Sequence, residues 1–72
     1  MIPLIMTSPG EKQTIALIRG REETRRYLES MGFIVGANIS IVSEFNGNII
    51  VNVKDTRVAL DKGMAAKILC LG

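Results

Sequence analysis

Hydrophobic and polar residues alternate along most of this chain, and in one segment the alternation gives way to helical spacing. Thr14-Ile15-Ala16-Leu17-Ile18 reads as a strand with Ile15 and Leu17 on one face, and Gly20 ends it. Over Asn38–Glu44, Ile39 and Ile41 alternate inward, and over Asn48–Lys54, Ile49, Val51 and Val53 share a face. Asn46-Gly47 lies between those two runs, the strongest short hairpin signal a sequence offers. Asp55-Thr56 turns the chain again, and Arg57–Leu60 returns with Val58 and Leu60 inward. Lys62–Ala66 makes one helical turn, and Ile68–Leu71 is the last strand. At the other end, Leu4-Ile5-Met6 reads as a short edge strand. It precedes a Ser8-Pro9-Gly10 turn whose proline and glycine suit the central positions of type II.

The helical spacing falls on Glu22–Met31. Thr24, Leu28 and Met31 recur at i, i+4 and i+7 with Tyr27 beside them, which makes one apolar stripe. Glu22 with Arg26, and Arg25 with Glu29, form i,i+4 pairs on the outer faces. A helix this short does not persist alone in water, so it must lie across the strands. Gly32 stops it, and Val35-Gly36 forms a second type II turn. Both glycines mark backbone positions that need a positive φ. Between them stand three large apolar residues, Phe33-Ile34-Val35, where a loop would normally be polar. Phe33 turns inward to cap the barrel, while Ile34 and Val35 stay partly exposed. A contact surface there weighs evenly against a reading in which all three plug the barrel end.

About five short strands, with one helix inserted after the first long strand, describe a mainly β protein: a small SH3-like barrel forming a single domain over residues 1–72. A five-stranded OB-type barrel competes. The ending of hairpin, turn, strand, single helical turn and strand favours the SH3-like order.

Composition narrows the function. Hydrophobic residues make up 47% of the chain but only three are aromatic, Tyr27, Phe33 and Phe45, so aliphatic side chains must fill the core. The net charge of +2 is mild and permits an anionic partner without demanding one. Histidine is absent and Cys70 is the single cysteine, so no internal disulfide forms, which fits a reducing compartment. The start lacks the basic region of a signal peptide, and no apolar run could span a bilayer. The expected location is the cytosol. Nucleophilic catalysis needs a base that the chain does not supply, and Cys70 reads as a small hydrophobe. The acids are scattered and the four methionines dispersed, the latter as core gap-fillers, so no metal, cofactor or catalytic residue is expected. Arg19, Arg21, Arg25 and Arg26 crowd together with Glu22 and Glu23 between them. This reads as a solvated helix face before it reads as a phosphate-binding patch. The alternative it leaves is a small-barrel nucleic-acid binder using the Arg19–Arg26 cluster, although the interleaved aromatics of such a surface are missing.

These residues resemble a known family. Ser8-Pro9-Gly10-Glu11, the strand Ile15-Ala16-Leu17-Ile18-Arg19-Gly20, the helix and turn from Arg25 through Leu28, Met31-Gly32-Phe33-Ile34-Val35-Gly36, and the ending from Val58-Ala59-Leu60 to Ala65-Ala66-Lys67-Ile68 are similar to the FeoA family of ferrous iron transport proteins. The hairpin Phe45-Asn46-Gly47-Asn48 is tighter than that of many members, and Val35 stands where many carry proline. The resemblance implies an SH3-like fold and a regulatory role exerted by docking on the cytosolic GTP-binding part of the FeoB ferrous iron transporter. The chain would then be peripheral to the membrane through its partner. It implies no nucleic acid and leaves self-association open. The same domain type closes some iron- and manganese-dependent repressors. The residues expected to carry partner binding are Arg25, Arg26, Ile34 and Val35. Leu28, Met31, Gly32, Phe33 and Gly36 are expected to carry the structural motif.

Overall fold

One strand, β2 (Gln13–Ile18), belongs to both halves of the sheet: Gln13 and Thr14 pair with β3 (Asn38–Phe45), and Ile15–Ile18 pair with β6 (Ile68–Cys70). A computed structural model describes residues 1–72. The remaining elements are β1 (Ile2–Pro3), α1 (Glu22–Ser30), β4 (Asn48–Val53), β5 (Thr56–Asp61) and α2 (Lys62–Ala65). All neighbouring strands are antiparallel, in the order β1-β6-β2-β3-β4-β5. The N-terminal edge strand is the two-residue β1, two positions before the Leu4–Met6 strand that the sequence suggests.

Fourteen buried residues form one core drawn from every strand but β1, from both helices and from the connecting loops. Ile39 and Ile41 on β3, and Ile49, Val51 and Val53 on β4, point inward as their alternation requires. The β3–β4 hairpin turns at Asn46 and Gly47, with φ of 52° and 79°, the left-handed pair of a type I′ turn. The type II turn at Ser8-Pro9-Gly10 is also present: Gly10 has φ +86°, and Glu11 donates its backbone N–H to the Ser8 carbonyl at 3.2 Å.

Several expectations need correction. Leu17 does not share the inner face with Ile15. A β-bulge at Ala16 places two β2 residues against one on β6 and resets the alternation, so Ile18 is buried and Leu17 faces out. Leu17 lies opposite Leu69, which is buried yet stands outside the core cluster, on the outer face of the sheet. Leu4–Met6 is a single 3₁₀ turn and not a strand. It drops Leu4 into the core, exposes Ile5 and Met6, and is closed by Thr7, whose hydroxyl donates to the Leu4 carbonyl at 2.8 Å. Met1 and Met6 are therefore surface residues, whereas Met31 and Met64 do pack against the core. The β4–β5 turn sits on Lys54 and Asp55, one residue earlier than expected. Both are left-handed, with φ of 49° and 60°. At β5's end, the Asp61 carboxylate accepts from the Met64 N–H at 2.7 Å and caps α2.

Candidate docking surface

The surface singled out by the sequence is built by the end of α1. Glu22 and Glu23 occupy its first turn, where carboxylates suit the positive end of the helix dipole. Leu28 is completely buried, Met31 partly so, and Tyr27 is exposed: it lies beside the stripe but outside the core. The helix stops in a Schellman motif. Gly32, with φ +100°, donates its N–H to the Glu29 carbonyl at 2.9 Å, and Phe33 donates to the Leu28 carbonyl at 3.0 Å. The reversal swings Phe33 into the core, where none of its surface is exposed.

The chain then makes the second turn. Ala37 donates to the Ile34 carbonyl at 3.0 Å, and Gly36 has φ +93°. A Cβ at Gly36 would meet nothing within 4 Å, so glycine is needed there for backbone conformation and not for space. Two further bonds staple the turn to β2: Gly36 donates to the Ile15 carbonyl at 2.8 Å, and Ile15 donates to the Ala37 carbonyl at 2.9 Å. Ile34 is 36% exposed and Val35 65% exposed on this fixed loop. Val35, held mostly in water by a stapled backbone, gives little to the core, which disfavours the reading that all three apolar residues plug the barrel; Ile34 is nearly two-thirds covered.

Beside Gly36 lies an open groove of about 420 Å³, bordered by Lys12, Asn38, Ser40, Asn52, Lys54 and Asp55. Two ammonium groups against one carboxylate, with amide and hydroxyl groups between, suit an acidic or carbonyl-rich surface. The sequence reading missed Lys12, which precedes β2, and Asn52 and Lys54, at the end of β4. The Lys54 stem also runs past Gly32, 3.6 Å from where a Cβ would stand. Arg25 and Arg26 do not border this groove. Both lie exposed on α1, where Arg26 is engaged by Glu22 at 2.7 Å. The expected Arg25–Glu29 pair is not formed, and the other ion pair joins Lys62 to Glu44 at 3.3 Å. Of the four clustered arginines, Arg26 alone is paired with an acid.

Cys70 is fully buried, and burial pushes its thiol above the ordinary range, which keeps it protonated and poorly nucleophilic. No three His, Cys, Asp or Glu side chains converge as a ligand set. No helix is long and apolar enough to cross a membrane. The arrangement is one of shape and charge suited to contact.

Comparison with known proteins bears on the family and the fold. The model of the FeoA domain family matches residues 2–71. A Methanocaldococcus jannaschii protein provisionally named Fe(2+) transport protein A is 29% identical over 69 residues, covering 96% of this chain and 84% of that protein. The crystal structure of an iron uptake regulatory protein, FeoA, superposes with a TM-score of 0.87 at 33% identity, covering 96% of this chain and 93% of the other. A Stenotrophomonas maltophilia FeoA, crystallised with zinc and described as a procaryotic SH3 domain protein, gives a TM-score of 0.83 at 18% identity, over 97% of this chain and 89% of that one. The last likeness concerns the fold alone, and the barrel is SH3-like.

Proposed function

This chain belongs to the FeoA domain family, and from that premise we propose that it acts as an accessory of ferrous iron uptake by docking on the cytosolic GTP-binding part of an FeoB-type membrane transporter. The family is linked to ferrous iron transport. The observation that carries the docking reading is the stapled turn at Ile34-Val35-Gly36, which holds Val35 largely, and Ile34 partly, in solvent beside the Lys12–Lys54 groove. A preformed turn loses little conformational freedom on binding, so the contacts it makes contribute more of their energy to affinity. Apolar side chains at the centre of an interface with charged groups at its rim are the usual anatomy of a specific contact. A standard interface takes about 800 Å² from each partner. That is a substantial fraction of the 4512 Å² surface here, so the turn and the groove would fall within one footprint. Arg25, on the neighbouring helix, would sit at its edge. Catalysis has no part in this reading: the chain alters its partner by contact. Titration of the chain into the isolated GTP-binding domain tests it, with saturable one-to-one binding expected. Absence of binding at high micromolar concentration would overturn it.

A further inference from the structure

The two edges of the sheet differ. β1 is two residues long and ends in Pro3, which has no N–H to offer, so that edge is blunt. β5 runs for six residues, Thr56–Asp61, in unbroken register with β4, without proline, lysine or a bulge. Its turn is a two-residue loop, so Val53 and Thr56 exchange both backbone bonds, and Val58 and Leu60 do the same with Val51 and Ile49. The N–H and C=O groups of Arg57 and Ala59 therefore point away from β4, as does the N–H of Asp61, whose carbonyl and carboxylate Oδ1 serve α2 as its N-cap. No backbone bond from a turn or loop reaches them.

The same three residues, with Thr56 at the turn, carry the exposed side chains of the strand. Their order is self-complementary. When a second β5 is laid antiparallel with Ala59 facing Ala59, Arg57 of each copy falls opposite Asp61 of the other, on the outer face. The Ala59 pair then exchanges both backbone bonds, and each Arg57–Asp61 position gains the bond from the Asp61 N–H to the Arg57 carbonyl. Neither Arg57 nor Asp61 has an ion-pair partner within the chain, and the helix cap on Asp61 uses Oδ1, leaving Oδ2 for a guanidinium. Ile50 is half-buried and lies opposite Ala59 on β4, so the central row of the joined sheet would continue Ile50–Ala59–Ala59–Ile50.

We propose that β5 is a homodimerisation edge, at which two copies of this chain join into one continuous antiparallel sheet about a two-fold axis through Ala59. A two-fold contact of this kind uses one patch twice and closes on itself, so it does not propagate into fibres. The pairing leaves the Ile34–Val35 turn free, because that turn is bonded to β2, three strands from β5.

Sedimentation equilibrium of the full chain between about 10 µM and 1 mM tests this, the range in which a small interface associates. A monomer–dimer equilibrium is expected. Ala59→Pro removes an N–H that faces away from β4, so the variant should keep the wild-type circular dichroism while losing the dimer. Arg57→Asp places like charges opposite each other twice and should weaken the dimer about tenfold, with the deficit shrinking as salt rises. The second variant decides the matter should Ala59→Pro fail to fold. A chain that stays monomeric throughout, or a dimer indifferent to Arg57→Asp, would overturn the proposal.

Discussion

Phe33 donates its backbone N–H to the carbonyl of Leu28 at 3.0 Å, and both side chains are fully buried. One bond thus ends the helix, closes the barrel end with an aromatic ring, and sends the chain outward to Ile34 and Val35. The exposed turn is a consequence of how the helix stops.

Gly32 is the pivot of that arrangement, at φ +100°. Gly32→Val is expected to destabilise the fold by at least about 1–2 kcal/mol, because a β-branched residue resists the left-handed region. Urea unfolding of the variant measures this. A wild-type midpoint would mean that the Schellman stop is not needed.

Leu28 anchors α1 to the core. Leu28→Ala should cost about 2–5 kcal/mol, the range for deleting a buried leucine side chain whose cavity does not collapse. Thermal unfolding should show the loss as a single shifted transition. A change below the lower bound would mean that α1 rides on the surface.

The β4–β5 turn holds Lys54 and Asp55 left-handed without a glycine. Asp55→Gly is expected to stabilise the chain by about 0.5 kcal/mol, the left-handed penalty of the side chain less the backbone entropy that glycine loses on folding. Destabilisation would show that Asp55 makes a contribution beyond its backbone shape.

Cys70 predicts a pH dependence. Its folded thiol ionises above the ordinary value of 9.0 because it is buried, whereas the unfolded chain titrates near that value. The unfolded state therefore sheds its proton first. The contribution is complete below about pH 9 and is lost as pH rises from there through the folded value. The difference in stability between wild type and Cys70→Ala, followed by denaturant unfolding from pH 7 to pH 10.5, should shift against wild type in the alkaline range. A pH-independent difference would mean that the thiol reaches solvent in the native state.

Much of this fold was legible because its signals are local. Asn46-Gly47, the alternation of Ile49, Val51 and Val53, and the two glycines around Phe33 each specify a conformation within a few residues, and the structure holds all of them. The misses involve partners distant in sequence. The bulge at Ala16 exists only in the pairing of β2 with β6, so nothing within Thr14–Ile18 says that Leu17 will face out. Leu4–Met6 looked like a strand by composition, yet burying Leu4 beside α2 and β6 required a tighter turn. Of the groove, only the Gly36 wall could be read locally. Lys12 and Lys54 lie far apart in the chain and meet only after the strands are laid down. Arg25 and Arg26, adjacent in sequence, lie off the groove.

The central claim is that the stapled turn is the contact point. Calorimetric titration of wild type, Val35→Asp and Lys54→Glu into the isolated GTP-binding domain tests it most directly. The account predicts wild-type binding with a Kd in the micromolar range, at least about tenfold weaker for each variant, with melting curves that stay within a few degrees of wild type. Equal affinity for wild type and Val35→Asp, in two folded proteins, would contradict it.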